Sequence, residues 1–125
     1  MRGLTLDSGA LIAFEREDRK MIALVRRAKE RKGSLAVPVG VVAQVWRDGR
    51  KQARLARLLG SSLVEIALLD DAGARRAGQL CGATCTRDVV DATVVLVAQQ
   101  RGDVVVTSDP DDIKRLDPSM DVAVV

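Results

Sequence analysis

Short runs of aliphatic and β-branched residues alternate along this chain with longer stretches whose apolar positions recur every three or four residues. The short runs, Gly3 to Leu6, Ser34 to Val37, Leu63 to Leu68, Val104 to Thr107 and Val122 to Val125, predict five strands. Between them, Ala10 to Phe14 predicts a first helix capped by Ser8. Met21, Leu24, Val25 and Ala28 predict an amphipathic second helix that Gly33 would stop. Pro38 is expected to start a helix with Val39, Val42, Val45 and Trp46 on one face, and Leu55, Leu58 and Leu59 mark a short helix ending at Gly60. Asp70 and Asp71 open the next, with Ala74, Ala77, Cys81 and Cys85 as its stripe. Asp88 to Gln100 is apolar around almost its whole circumference and is expected at the centre of the fold; Pro110 to Leu116 predicts a last short helix. Strands apolar on both faces, alternating with helices, predict an α/β fold with a mostly parallel sheet covered on both sides.

At 125 residues, with no linker or internal repeat, the chain reads as a single domain over residues 1–125. The composition, 47% hydrophobic and 30% charged, is that of a globular protein. There is no histidine, which removes Ser-His-Asp and Cys-His catalysis and disfavours zinc. Cys81 and Cys85 are the only cysteines and read as small apolar fillers of a helix face. No apolar run approaches membrane-spanning length and the first residues lack a signal-peptide core, so the chain is expected in the cytoplasm and away from membranes. Phe14 and Trp46 are the only aromatic residues, which leaves little for base stacking.

The net charge of +3 is unevenly distributed. Cations crowd Arg16 to Lys32 and Arg47 to Arg57, whereas acids gather in the last third. A basic surface beside an acidic pocket suits a polyanion held near a metal ion. In a parallel sheet the ligand crevice lies beyond the C-terminal strand ends. Asp7 ends the first strand and Asp109 follows the fourth, so both are expected to face one crevice. Asp88 and Asp91, three apart on the apolar helix, lie about one turn apart on one face and add two carboxylates if that helix starts at the crevice. Gathered carboxylates are costly unless a cation offsets them, and oxygen ligands without His or Cys select Mg²⁺ or Mn²⁺. Four of these acids also have a plainer reading: Asp88 or Asp7 as a helix cap, Asp109 as a turn residue before Pro110, Asp112 as a solvated first-turn acid; Asp91, inside an apolar helix, is harder to dismiss.

Three stretches resemble a known family. Leu6-Asp7-Ser8-Gly9-Ala10-Leu11-Ile12-Ala13 is similar to the opening motif of PIN-domain nucleases, Asp91 to Gly102 to their central acidic helix, and Val106-Thr107-Ser108-Asp109 with Asp112 to their closing motif. The order and spacing most resemble VapC-type toxins of bacterial toxin–antitoxin pairs. The resemblance implies a three-layer α/β/α domain, Mg²⁺- or Mn²⁺-dependent hydrolysis of RNA, a homodimer, and a small cognate antitoxin that blocks the site. By matching position, Asp7 and Asp91 would be the core metal ligands, Asp109 a further acidic one, Asp112 auxiliary, and Thr107 a polar neighbour that orients water or substrate.

The departure is at Gln44, where the family usually places Glu. A carboxamide has the reach of Glu without its charge, and Asp88 is expected to restore part of that charge. The alternative is a catalytically weakened PIN-like module that binds RNA or protein. A phospho-acceptor receiver domain, also small and α/β, fits poorly, because Asp7 is followed by Ser8 rather than by a second acid.

Overall fold

Five short strands lie side by side in the order β3-β2-β1-β4-β5, every neighbouring pair parallel. They are β1 (Leu4–Leu6), β2 (Leu35–Pro38), β3 (Val64–Ala67), β4 (Val104–Thr107) and β5 (Val122–Val124). This computed structural model describes residues 1–125. The sheet is wholly parallel, more uniform than the pattern required. The three central strands are buried almost throughout, whereas β3 and β5 are half-exposed edges. Glu65 is accordingly tolerated inside β3.

Seven helices cover the sheet. After β1 come α1 (Ser8–Glu15) and α2 (Arg19–Glu30), and after β2 come α3 (Val39–Val45) and α4 (Ala53–Leu59). After β3 come α5 (Asp71–Thr84) and α6 (Val89–Arg101), and α7 (Pro110–Leu116) joins β4 to β5. α1 packs against α2, α3 and α4, while α5, α6 and α7 pack on one another, giving the layers of an α/β/α sandwich. The chain winds outward from β1 through β2 to β3, then returns through α6 to place β4 on the other side of β1. With right-handed crossovers, that reversal sends the two helix groups to opposite faces. The reversal falls between β1 and β4, and in such sheets the C-terminal ends of the strands at that point are where a ligand crevice lies.

Several local expectations are corrected. Asp7, not Ser8, caps α1: its Oδ1 accepts from the Ala10 amide at 2.9 Å, and Ser8 is the first helical residue. The chain turns after α2 at Lys32, with φ 52°, while the Gly33 amide closes back on the Ala28 carbonyl at 2.8 Å. Cys85 is exposed and ends α5 in the left-handed conformation, φ 57°, so only Cys81 fills the core. On α3 the buried residues are Val41 and Val45, with Val39 and Trp46 at the surface. α6 is buried along Ala92, Thr93, Val94, Val95 and Ala98, but Val89 at its start is exposed. No helix is long and apolar enough to cross a membrane.

At the N-terminal strand ends a buried polar cluster ties the sheet together. Asp103 accepts from Thr5 Oγ1 at 2.9 Å and from Arg101 Nε at 2.8 Å, and Arg101 reaches on to Glu65 and Ser34. Replacing Asp103 with Ala would strand a buried hydroxyl and a half-buried guanidinium. The expected cost is about 3 kcal/mol, read as a lower urea midpoint with the slope unchanged.

Candidate active site

Three helices begin around the crevice, each preceded by an acid. Asp7 follows β1 and caps α1, Asp88 caps α6, and Asp109 follows β4 and precedes α7. Helix N-termini carry partial positive charge, which explains why acids collect there before any ligand is considered. β1 and β4 are paired through Leu6 and Val106, so the residues that follow them emerge together. Close approach depends on Gly9: a Cβ there would collide with the Ser108 side chain and lie 3.3 Å from the Ser108 amide nitrogen.

Asp7 is buried, 6% exposed. Burial pushes its carboxyl above the ordinary range, opposed by the Thr107 hydroxyl and the Ala10 and Gly9 amides and reinforced by the nearby charge of Asp109. Thr107, fully buried at the end of β4, accepts from the Asp109 amide at 2.9 Å, which leaves its proton for Asp7. One side chain therefore links the two strand-end acids.

Asp91 is the most perturbed group. Partial burial, then Asp88, then the charges of Asp7 and Asp112 push it up to about 7. Asp88 caps the helix, its Oδ1 accepting from the Asp91 amide at 3.0 Å, and its charge also loads the Asp91 carboxyl. Asp112, at the surface of α7, is raised by desolvation and then by Asp109, with Arg115 opposing. Asp109 makes no capping bond, and its carboxylate faces that of Asp112.

The fold thus brings Asp7, Asp88, Asp91, Asp109 and Asp112 into one electrostatic cluster. None of the five is in an ion pair with Lys or Arg. No three of them converge closely enough to hold an ion as the side chains stand. Asp7 and Asp88 each commit one oxygen to a helix N-terminus. The donor set is nevertheless that of a hard divalent cation: unneutralised carboxylate oxygens with a hydroxyl beside them.

Gln44 lies beside this cluster, its Oε1 accepting a hydrogen bond from Ser8 Oγ. Sequence reasoning singled out Gln44 but missed Ser8 as its partner, having assigned that hydroxyl to a cap. On the α2 and α4 side, a groove of about 820 Å³ has an apolar floor that includes Phe14, Leu58 and Leu63 and a rim that includes Lys29, Lys32 and Arg57. The two basic segments, far apart in sequence, share this layer.

A family model described as "PIN domain" matches residues 4–118. No match was found among curated proteins. Among solved structures, VapBC2 from Rickettsia felis, bound to a DNA fragment from its promoter, aligns with TM-score 0.74 at 15% identity over 98% of both chains. FitAcB from Neisseria gonorrhoeae aligns with TM-score 0.64 at 17% identity, covering 95% of each chain. VapC20 from Mycobacterium tuberculosis, a Sarcin-Ricin loop cleaving toxin, gives TM-score 0.61 at 18% identity over 86% of this chain and 91% of its own. At these identities the likeness is one of fold.

Proposed function

The chain belongs to the PIN-domain family, and on that premise we propose that it is the toxin of a toxin–antitoxin pair, an endoribonuclease that hydrolyses RNA phosphodiester bonds with Mg²⁺ or Mn²⁺. The observation that carries this reading is the gathering of five carboxylates, none of them in an ion pair, around Asp91, which burial and then Asp88, Asp7 and Asp112 raise to about 7. Such charge is stabilised by a bound cation and, without one, opposes the fold. Asp7, Asp91 and Asp109 would be the ligands, with Asp88 and Asp112 at the periphery. A divalent ion held there supplies polarisation of a phosphoryl oxygen and a water ionised at neutral pH. The protein's own part is positional. Thr107 fixes Asp7 and the Asp109 backbone in one arrangement, and the α1, α6 and α7 N-termini hold the acids at the crevice. Exposed cations of α2 and α4 provide a surface for a phosphate backbone.

The direct test is incubation of the purified protein with structured RNA, with Mg²⁺, Mn²⁺ or a chelator. Cleavage that needs either ion is expected; RNA left intact under every condition would overturn the reading. A second reading is favoured by Gln44: a domain that binds RNA or protein without cutting. Activity that appears only in Gln44→Glu would establish it.

Asp88 is proposed to supply part of the charge absent at Gln44. Asn caps helices as well as Asp does, so Asp88→Asn removes the charge and keeps the cap. Its Mn²⁺ affinity by titration calorimetry should fall about tenfold, equivalent to ~1.4 kcal/mol; an unchanged affinity removes Asp88 from the site.

The partners proposed are a cognate antitoxin and a second copy of the chain, acting in the cytoplasm. The groove between α2 and α4, apolar below and cationic at the rim, supports an antitoxin segment that is amphipathic and acidic.

A further inference from the structure

Ser8 and Gln44 are polar side chains joined to each other that the metal-site reading leaves without a task. Ser8 directly follows Asp7, and because Asp7 caps α1 the Ser8 hydroxyl is not spent on the helix. It donates instead to Gln44 Oε1, across the packed α1–α3 pair. This is the sole hydrogen bond of either side chain, and it leaves both protons of Gln44 Nε2 without a partner in the chain. Gln44 is exposed, so that donor is open to solvent, held next to the residue that follows Asp7.

We infer that Gln44 is a phosphate-binding residue and Ser8 its positioning residue, the Ser8 hydroxyl holding the carboxamide by its oxygen so that Nε2 donates to a non-bridging phosphate oxygen of bound RNA. The inference rests on the proposed RNA-cleaving function. Its physical basis is the difference between carboxylate and carboxamide at one position. A Glu here would be acceptor only and would add a negative charge on the partner of Ser8, the residue next to Asp7. Such a group favours a cation but repels the phosphate that must approach it. Gln removes the repulsion and offers a donor, and the Ser8 bond selects which end of the amide faces out.

The test is fluorescence anisotropy of a labelled single-stranded RNA in chelator, where cleavage does not interfere. Gln44→Leu should weaken binding about tenfold, the scale of a hydrogen bond to a charged oxygen. Gln44→Glu should weaken it at least as much while tightening Mn²⁺ binding. Ser8→Ala should lose part of the affinity and Ser8→Thr restore it. The double variant Ser8→Ala with Gln44→Leu should be no weaker than Gln44→Leu alone, because Ser8 acts only through Gln44. In cleavage assays the loss should fall on KM, with kcat nearly unchanged. Wild-type affinity in Gln44→Leu, or additive losses in the double variant, would overturn the inference while leaving the nuclease reading intact. Wild-type protein that neither binds nor cleaves RNA would overturn both. Circular dichroism melts of each variant separate these outcomes from misfolding.

Discussion

Asp7→Asn is expected to reduce metal-dependent RNA cleavage by about three orders of magnitude, roughly 4 kcal/mol of transition-state stabilisation. The substitution is nearly isosteric, and Asn retains the oxygen that accepts from the Ala10 amide, so α1 keeps its cap. What disappears is one of the negative charges on which a divalent ion depends. Asp91→Asn should do the same from the other wall of the crevice. Both variants should fold normally by circular dichroism, and both should lose Mn²⁺ affinity in calorimetry. Cleavage by Asp7→Asn at wild-type rate with Mg²⁺ would place the chemistry elsewhere in the molecule.

The metal-free protein should lose stability as pH rises from 5 to 8, the reverse of ordinary acid denaturation. Asp91 ionises at about 7 when folded, against 3.8 for an unperturbed Asp, and Asp7 is raised in the same direction. Between those values the folded state binds more protons than the unfolded state, so the stability they confer is present at low pH and falls as pH rises towards 7. Above about 7 the loss is complete and the curve flattens. At 1.36 kcal/mol per pH unit, discounted for solvent screening of a half-buried group, the loss is about 2 kcal/mol. In a domain of this size that amounts to a fall in Tm of roughly 8 °C. Asp91→Asn should abolish most of the slope and stabilise the protein at pH 8. Saturating Mn²⁺ should raise the wild-type Tm at pH 8 and leave Asp91→Asn little changed. A thermal scan series at fixed ionic strength checks each point, and a wild-type Tm that climbs from pH 5 to 8 would show that Asp91 is not crowded as described.

The sequence alone was enough to identify most of the elements, because the evidence for them is local. Apolar strands such as Val104 to Thr107 and the stripe of Met21 and Ala28 announce their burial through period. Misreadings fell where two residues competed for one local task. Asp7 and Ser8 can each cap a helix, and the backbone, extended at Asp7, decides between them. Lys32 and Cys85 turn in the left-handed conformation where glycine is the usual choice. Trp46 and Val89 are apolar yet exposed, because they sit at helix ends beyond the reach of the core.

For the site, the residue types set the expectation. A chain without histidine that ends its first and fourth apolar runs in Asp7 and Asp109 could offer hard oxygen ligands and little else. Tertiary structure decided what those acids do to one another. The reversal of strand order places β4 beside β1, a pairing that joins residues about a hundred positions apart and that no local pattern encodes. From it follows the Thr107 link to Asp7; burial of Asp91 beside Asp88, Asp7 and Asp112 lifts it to about 7, and the packing of α1 on α3 brings Ser8 to Gln44. Side-chain type is fixed by covalent chemistry, but charge is felt through space, and only the folded chain sets the distances.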